Sequence, residues 1–237
     1  MDVLLVFAKA PVPGRVKTRL APVLGPAGAA ALYAAMLADS LDTYRRLGVV
    51  VRLCLAPPDA DTPDTDTPRS DAAPGDGLVP AGVDWTWQRG DDLGARLDHA
   101  VADAFAAGAQ RVVVIGTDHP TLPETTLRAA FDRLSAPDRL TVVPALDGGF
   151  VLLGLARPVP GLFAGRAYSH AAVLEETLAS ARAAGCVVDR LPTWYDVDAP
   201  ADLGRLRADL AASPDVAPRT RAALVTLAGP APDAVHT

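Results

Sequence analysis

The chain has 237 residues, half of them hydrophobic, 5% aromatic and 21% charged, and a formal net charge of −6. That is enough to bury the core of one domain, or at most two. The acidic balance excludes a broad nucleic-acid or membrane-surface face, each of which needs a basic patch, so any anion site has to be local.

The N-terminus reads MDVLLVFAK. An acid at position 2 and a short apolar run do not make a secretory signal, which needs a basic start and a longer apolar region. No run approaches the ~20 apolar residues of a membrane span, so a cytoplasmic location is expected. Val3–Phe7 is short enough for a buried strand. Directly behind it, FAKAPVPGRVKTRLAP gathers Lys9, Arg15, Lys17 and Arg19 without one acid. These four could be a solvated loop, but their like charge in an acidic chain favours anion binding. The loop lacks the GxxxxGK[ST] spacing of a P-loop. GPAGAA at 25–30 lacks the third-glycine spacing of a dinucleotide fingerprint and reads as a helix start.

Across Pro26–Leu47, Ala29, Tyr33, Met36, Leu37, Leu41 and Tyr44 recur at three- and four-residue spacing, as on a helix closed by Gly48. Val49–Leu55 is a second strand-like run. Residues 57–84 are rich in Pro, Asp and Thr and read as an exposed loop; their Asp-Thr-Pro triplets lack the Gly and Glu pattern of a calcium loop. Leu93–Ala107 is helical up to Gly108, and Arg111–Gly116 is a strand followed by Thr117-Asp118-His119-Pro120. Pro123–Leu134 is helical. Leu140–Pro144 and Phe150–Leu155 are strands with Asp147-Gly148-Gly149 between them. A helix over Ala171–Ala184 stops at Gly185, and Val187–Leu191 is the last strand. Trp194-Tyr195-Asp196-Val197-Asp198 follows, with a further helix starting near Pro200. From about Ser213 the chain should be a short helix and a polar tail, leaving 1–212 as the working domain and 213–237 as its appendage. Cys54 and Cys186 lie in apolar runs without a CxxC or His-rich neighbourhood, so buried reduced thiols are expected instead of a zinc site.

Strand–helix alternation predicts a single α/β domain, a mostly parallel sheet with helices on both faces. Ligands of open α/β sheets bind beyond the carboxyl ends of the strands. There, cations follow one strand and acids follow the others, a layout suited to a nucleotide phosphate chain bridged to the protein by magnesium. Each acid has a structural alternative. Asp118 could cap the helix after Pro120, and Asp198 the one near Pro200. Asp147-Gly148-Gly149 could be only a tight turn, although its glycines would let a ligand approach the backbone. His119 could be a ligand, a base or a packed side chain, and packing is the simplest reading. Asp196 and Asp198 share a side of an extended segment. No arginine adjoins either acidic segment, so the acids should repel unless a cation or solvent intervenes.

FAKAPVPGRVKTRLAP, GDDLGARL, IGTDHPTLP, ALDGGFVLLGL and DVDAPADL together resemble the GT-A-like glycosyltransferase family DUF2064, in order over roughly residues 1–210. The resemblance implies a nucleotide-diphospho-sugar transferase fold. More distantly, the KTRLAP and DVDAPADL segments are similar to phospholactate or phosphoenolpyruvate guanylyltransferases. That similarity implies metal ligation by Asp118, Asp196 and Asp198. His119 and Ala199 depart from the pattern, standing where many relatives carry Cys and Thr. The candidate set is therefore Asp118, Asp147 and Lys17 for catalysis, and Lys9, Gly14, Arg15, Lys17, Arg19, Gly148 and Gly149 for the nucleotide. Asp118, Asp196 and Asp198 would hold Mg2+ or Mn2+. The expected activity is glycosyl transfer from a nucleotide sugar to a small-molecule acceptor, with neither nucleic acid nor membrane as partner; a homodimer is compatible. The alternatives are nucleotidyl transfer from a nucleoside triphosphate to a phosphorylated or acidic metabolite, and a nucleotide-binding protein without catalysis.

Overall fold

A computed structural model describes residues 1–58, 77–168 and 170–227. Most of the Pro/Asp-rich 57–84 segment and the end of the tail lie outside the described residues. Seven strands form one sheet: β1 (Asp2–Ala8), β2 (Val50–Leu55), β3 (Asp84–Trp87), β4 (Arg111–Ile115), β5 (Arg139–Pro144), β6 (Phe150–Leu155) and β7 (Val187–Arg190). Their order is β3-β2-β1-β4-β6-β5-β7. Only β6 runs antiparallel to its neighbours, because a short hairpin joins it to β5. The expected α/β architecture is thus present as a single domain.

The helices are α1 (Ala21–Arg45), α2 (Leu93–Ala106), α3 (Glu124–Asp132), α4 (Val173–Ala183), α5 (Asp202–Ala212) and α6 (Pro218–Leu227). Parallel strands covered on both faces must be apolar on both, and here alternate residues divide between two cores. Leu4, Val6, Leu53, Val113 and Ile115 pack under α1 and α3, with Leu41, Leu127 and Phe131. Val3, Leu5, Cys54, Val112 and Val114 pack under α2 and α4, with Leu97, Val101 and Leu178. Cys54 and Cys186 are both buried free thiols, and burial pushes the Cys54 thiol up to about 12.

Two expectations need correction. First, α1 is long and apolar enough, with a mean hydropathy of 1.5, to span a membrane by length and composition. Much of that apolarity is alanine. The helix is broken at Gly25, whose φ of 70° and ψ of 160° are not helical, so the continuous helix begins at Pro26. Its two halves pack in different places. Leu32 and Met36 meet α5 and α6 in a third cluster, while Leu41 and Tyr44 lie on the sheet. Second, β3 is a strand the sequence does not single out; the loop expected over 57–84 takes in only its first residue, Asp84. This edge strand has mostly exposed residues, so it carries no apolar run to announce it; Trp85 and Trp87 make an edge-to-face pair 5.4 Å apart.

The segment after α5 returns to α1. The buried Asp39 carboxylate on α1 accepts the Thr220 amide at 2.7 Å and the Thr220 hydroxyl at 2.8 Å. This pair is 181 residues apart in sequence and fastens α6 to the domain.

Candidate functional site

The carboxyl ends of β1, β2, β3 and β4 open into a cavity of about 720 Å³. Lys9, Arg15, Lys17 and Arg19 all line it, and so do Asp118 and Asp198. Local chemistry explains how the loop after β1 is held. The Tyr33 hydroxyl on α1 accepts the Lys9 amide at 3.0 Å and the Thr117 hydroxyl at 3.2 Å. Burial, reinforced by the Asp118 charge, raises the Tyr33 pKa to about 12 and outweighs these two accepted bonds, which pull it down. The Arg15 guanidinium donates to the Pro58 carbonyl beyond β2. Gln88, at the end of β3, donates to the Cys54 carbonyl at 2.8 Å, tying the adjoining strand ends.

Lys17 does not sit on an exposed loop. Its side chain is only 3% exposed, and its backbone is in the left-handed region at φ 48°. A non-glycine residue pays for that conformation and keeps it only when its surroundings fix it. Here the ammonium lies 2.7 Å from Asp118 Oδ1 and 3.7 Å from Asp198 Oδ1. The exposed Arg19 guanidinium meets Asp198 Oδ2 at 2.8 Å. The expectation that no cation neutralises these acids is therefore overturned. Arg19 and Asp198 are 179 residues apart, so adjacency in sequence could not show the pairing.

Neither acid serves as a helix cap. Helix α3 starts after Pro123 with no side-chain cap, and α5 starts at Asp202 after Ala201. It is Asp202 that bonds the turn before α5, accepting the Asp198 and Ala199 amides at 2.9 and 2.6 Å. The two acidic segments are joined by the Val197 amide, which donates to the Asp118 carbonyl at 2.7 Å. Both carboxylates are thereby left to face the cavity at 39% and 43% exposure.

The third acid has a partner of its own. Asp196 Oδ1 is 3.2 Å from Nδ1 of His119, which is buried as a packed side chain. Among the described residues, no group of three or more His, Cys, Asp or Glu is arranged to hold a metal ion. Asp118, Asp196 and Asp198 thus do not form one metal-holding group, although all three line one cavity; Asp196 is paired with His119. Asp118 and Asp198 nevertheless direct an oxygen each at the same ammonium, so they already share a cation position. Two hard carboxylates beside a cationic cleft suit Mg2+ or Mn2+, since Mg2+ takes one or two carboxylates and completes its shell with phosphate oxygens and water.

A second cavity of about 560 Å³ shares Arg19, Asp118 and Asp198 with the first. Asp147, Gly149 and Asp196 line it, with Phe150 and Tyr168. The Asp147-Gly148-Gly149 turn is the β5–β6 hairpin, stiffened by Asp147 Oδ1 accepting the Gly149 amide at 3.0 Å. Gly148, at φ 92°, presses against the strand-free segment before α4, where a Cβ would lie 2.6 Å from Ala171 Cα and collide with its carbonyl. Gly148 therefore shapes the wall without lining it. Gly14 also lies in neither cavity; it turns the basic loop. Tyr33, Gln88, Asp92 and Tyr168 were not singled out from sequence. Only the GDDLGARL motif, at the start of α2, marked the neighbourhood of Asp92.

The chain matches the family described as "Uncharacterized protein conserved in bacteria (DUF2064)" over residues 41–170. Its structure resembles that of a candidate nucleotide-diphospho-sugar transferase from Desulfovibrio desulfuricans G20. The two are 34% identical, the match covers 95% of this chain and 94% of the other, and the TM-score is 0.81. More distant likenesses show the fold alone. A 4-diphosphocytidyl-2C-methyl-D-erythritol synthase is 13% identical over 88% of this chain and 97% of the other, with a TM-score of 0.53. CMP:2-keto-3-deoxy-manno-octonic acid synthetase, solved with CTP, is 15% identical over 89% and 98%, with a TM-score of 0.50.

Proposed function

The chain belongs to the DUF2064 family, and on that footing we propose that it is a nucleotide-dependent transferase that moves a glycosyl group from a nucleotide sugar to a small acceptor. The observation that carries this reading is the Lys17–Asp118–Asp198 cluster, placed where two cavities meet. The first cavity has the cations to bind a diphosphate, and the second has room for an acceptor.

In this reading Lys9, Arg15, Lys17 and Arg19 bind the donor phosphates, and Asp118 and Asp198 hold the divalent ion. When bound, that ion would neutralise charge developing on the diphosphate. The acceptor oxygen forms a bond to the anomeric carbon, and the bond from that carbon to the β-phosphate oxygen breaks. The electron pair leaves with the nucleoside diphosphate, and Asp147 takes the acceptor proton and passes it to solvent. Catalysis is positioning together with preorganised charge, with no covalent intermediate.

The test is product analysis by mass spectrometry after incubation with nucleotide sugars or nucleoside triphosphates, with and without Mg2+. Release of a nucleoside diphosphate from a nucleotide sugar is expected. Release of pyrophosphate from a triphosphate would instead make the chain a nucleotidyltransferase.

A further inference from the structure

The charge of the second cavity restricts what can enter it. Four carboxylates line it (Asp118, Asp147, Asp196 and Asp198) against one guanidinium, Arg19, and one imidazole, His170. Arg19 is already engaged by Asp198 at 2.8 Å. His170 Nδ1 lies 3.2 Å from the Ala172 amide and Nε2 lies 3.7 Å from Glu176, so both ring nitrogens already have partners. In the reading above, Arg19 and the ion held by Asp118 and Asp198 serve the donor diphosphate, so among the described residues lining this cavity Asp147 and Asp196 face the acceptor, with His170 as the one other basic group, itself held by Ala172 and Glu176. Phe7, Phe150, Tyr168, Leu97 and Val173 also line the cavity, giving an apolar part with three aromatic rings.

We infer that the acceptor is an uncharged or cationic molecule with an apolar or aromatic body and a hydroxyl or amine nucleophile, and not a phosphorylated or carboxylated metabolite. The inference rests on the transferase reading above. An anionic acceptor would meet the donor diphosphate and the Asp147 and Asp196 carboxylates with no cation of its own, a like-charge juxtaposition that works against binding. A hydroxyl or ammonium group would instead donate to Asp147, which lines the cavity on a hairpin stiffened by its Oδ1 bond to the Gly149 amide. The apolar body would lie on Phe150 and Tyr168, where ring faces contribute beyond their area. The fit also distinguishes this chain from enzymes that transfer a nucleotidyl group to an acidic metabolite, since those must neutralise the acceptor.

Three probes with the same ring isolate the charge: tyramine (cationic), tyrosol (neutral) and 4-hydroxyphenylacetate (anionic). Saturation-transfer NMR would be run on the full chain, alone and with Mg2+ and UDP, GDP or CDP. We expect tyramine and tyrosol to bind at least roughly ten-fold more tightly than 4-hydroxyphenylacetate. Asp147 is exposed, so Asp147→Lys should fold, and it should remove the preference by favouring the anion. Equal signals from all three probes, including none from any, would overturn the inference, as would a preference unchanged by Asp147→Lys. Diphosphate binding is measured separately in the first cavity. Its loss alone would sink the transferase reading, while a preferred anionic probe with intact diphosphate binding would sink only the acceptor class.

Discussion

Replacing Lys17 by Met keeps the length and packing of the side chain and removes only the ammonium. Two consequences of opposite sign follow. Asp118 and Asp198 lose the cation 2.7 and 3.7 Å away and must repel each other across the position it held. Because both are about two-fifths exposed, water can relieve part of that repulsion. The loss of folding stability should therefore be about 2 kcal/mol, below the 3–5 kcal/mol typical of breaking a fully buried pair. The freed carboxylates should now take a divalent ion more readily, so Mn2+ binding without nucleotide should tighten. Nucleoside diphosphate binding should weaken by ~1.5–3 kcal/mol, the worth of a charged hydrogen bond and roughly ten- to 150-fold in affinity. Calorimetry with Mn2+ alone, and with UDP, GDP and CDP, separates the two effects. If Lys17→Met weakened Mn2+ binding, or left diphosphate affinity unchanged, the ammonium would not stand at a shared cation position and the argument from geometry would fail.

Two further perturbations read the same cluster from its other sides. Asp198→Asn should abolish Mg2+-dependent turnover while α5 keeps its start, because Asp202 makes the bonds of that turn; thermal unfolding should show a loss of about 1 kcal/mol, and full turnover would remove Asp198 from the metal site. In the folded chain burial raises the Tyr33 pKa from the usual 10 to about 12. Its contribution to stability is thus complete below about pH 10 and lost as pH rises toward 12, about 1 kcal/mol of it by pH 11. Urea unfolding should show Tyr33→Phe less stable than the parent near pH 8, with the gap narrowing by pH 11; a gap independent of pH would mean the phenol is not perturbed.

Much of this was legible in the residues, and what was hidden has a physical cause. The strands in β1, β4 and β6 announced themselves because sheets covered on both faces demand unbroken apolar runs. Pro26 marked the true start of the long helix, since Pro supplies a helical φ and needs no amide bond at that position. The edge strand β3 was missed because an uncovered edge does not need to be apolar. At the site, four cations and four acids were identified by type, but their pairing was not. Lys17 reads as surface when counted along the chain, and becomes interior only when a segment 181 residues away folds over it. The pairing of Asp196 with His119 was equally invisible, because it depends on where the buried His119 ring turns.

The bond between α6 and Asp39 also bears on the order in which the protein can become active during synthesis. A ribosome delivers β1 through β4 and their helices well before the segment holding Asp198, and α6 emerges later still. A nascent chain can therefore lay down most of its sheet while Lys17 has only Asp118 for company and nothing yet fastens the far side of α1. The cation position is assembled from the two ends of the message, so a partly translated or C-terminally clipped chain would carry the cleft without the means to use it. The cluster is complete only once the Asp198 segment has reached Lys17 and Asp118.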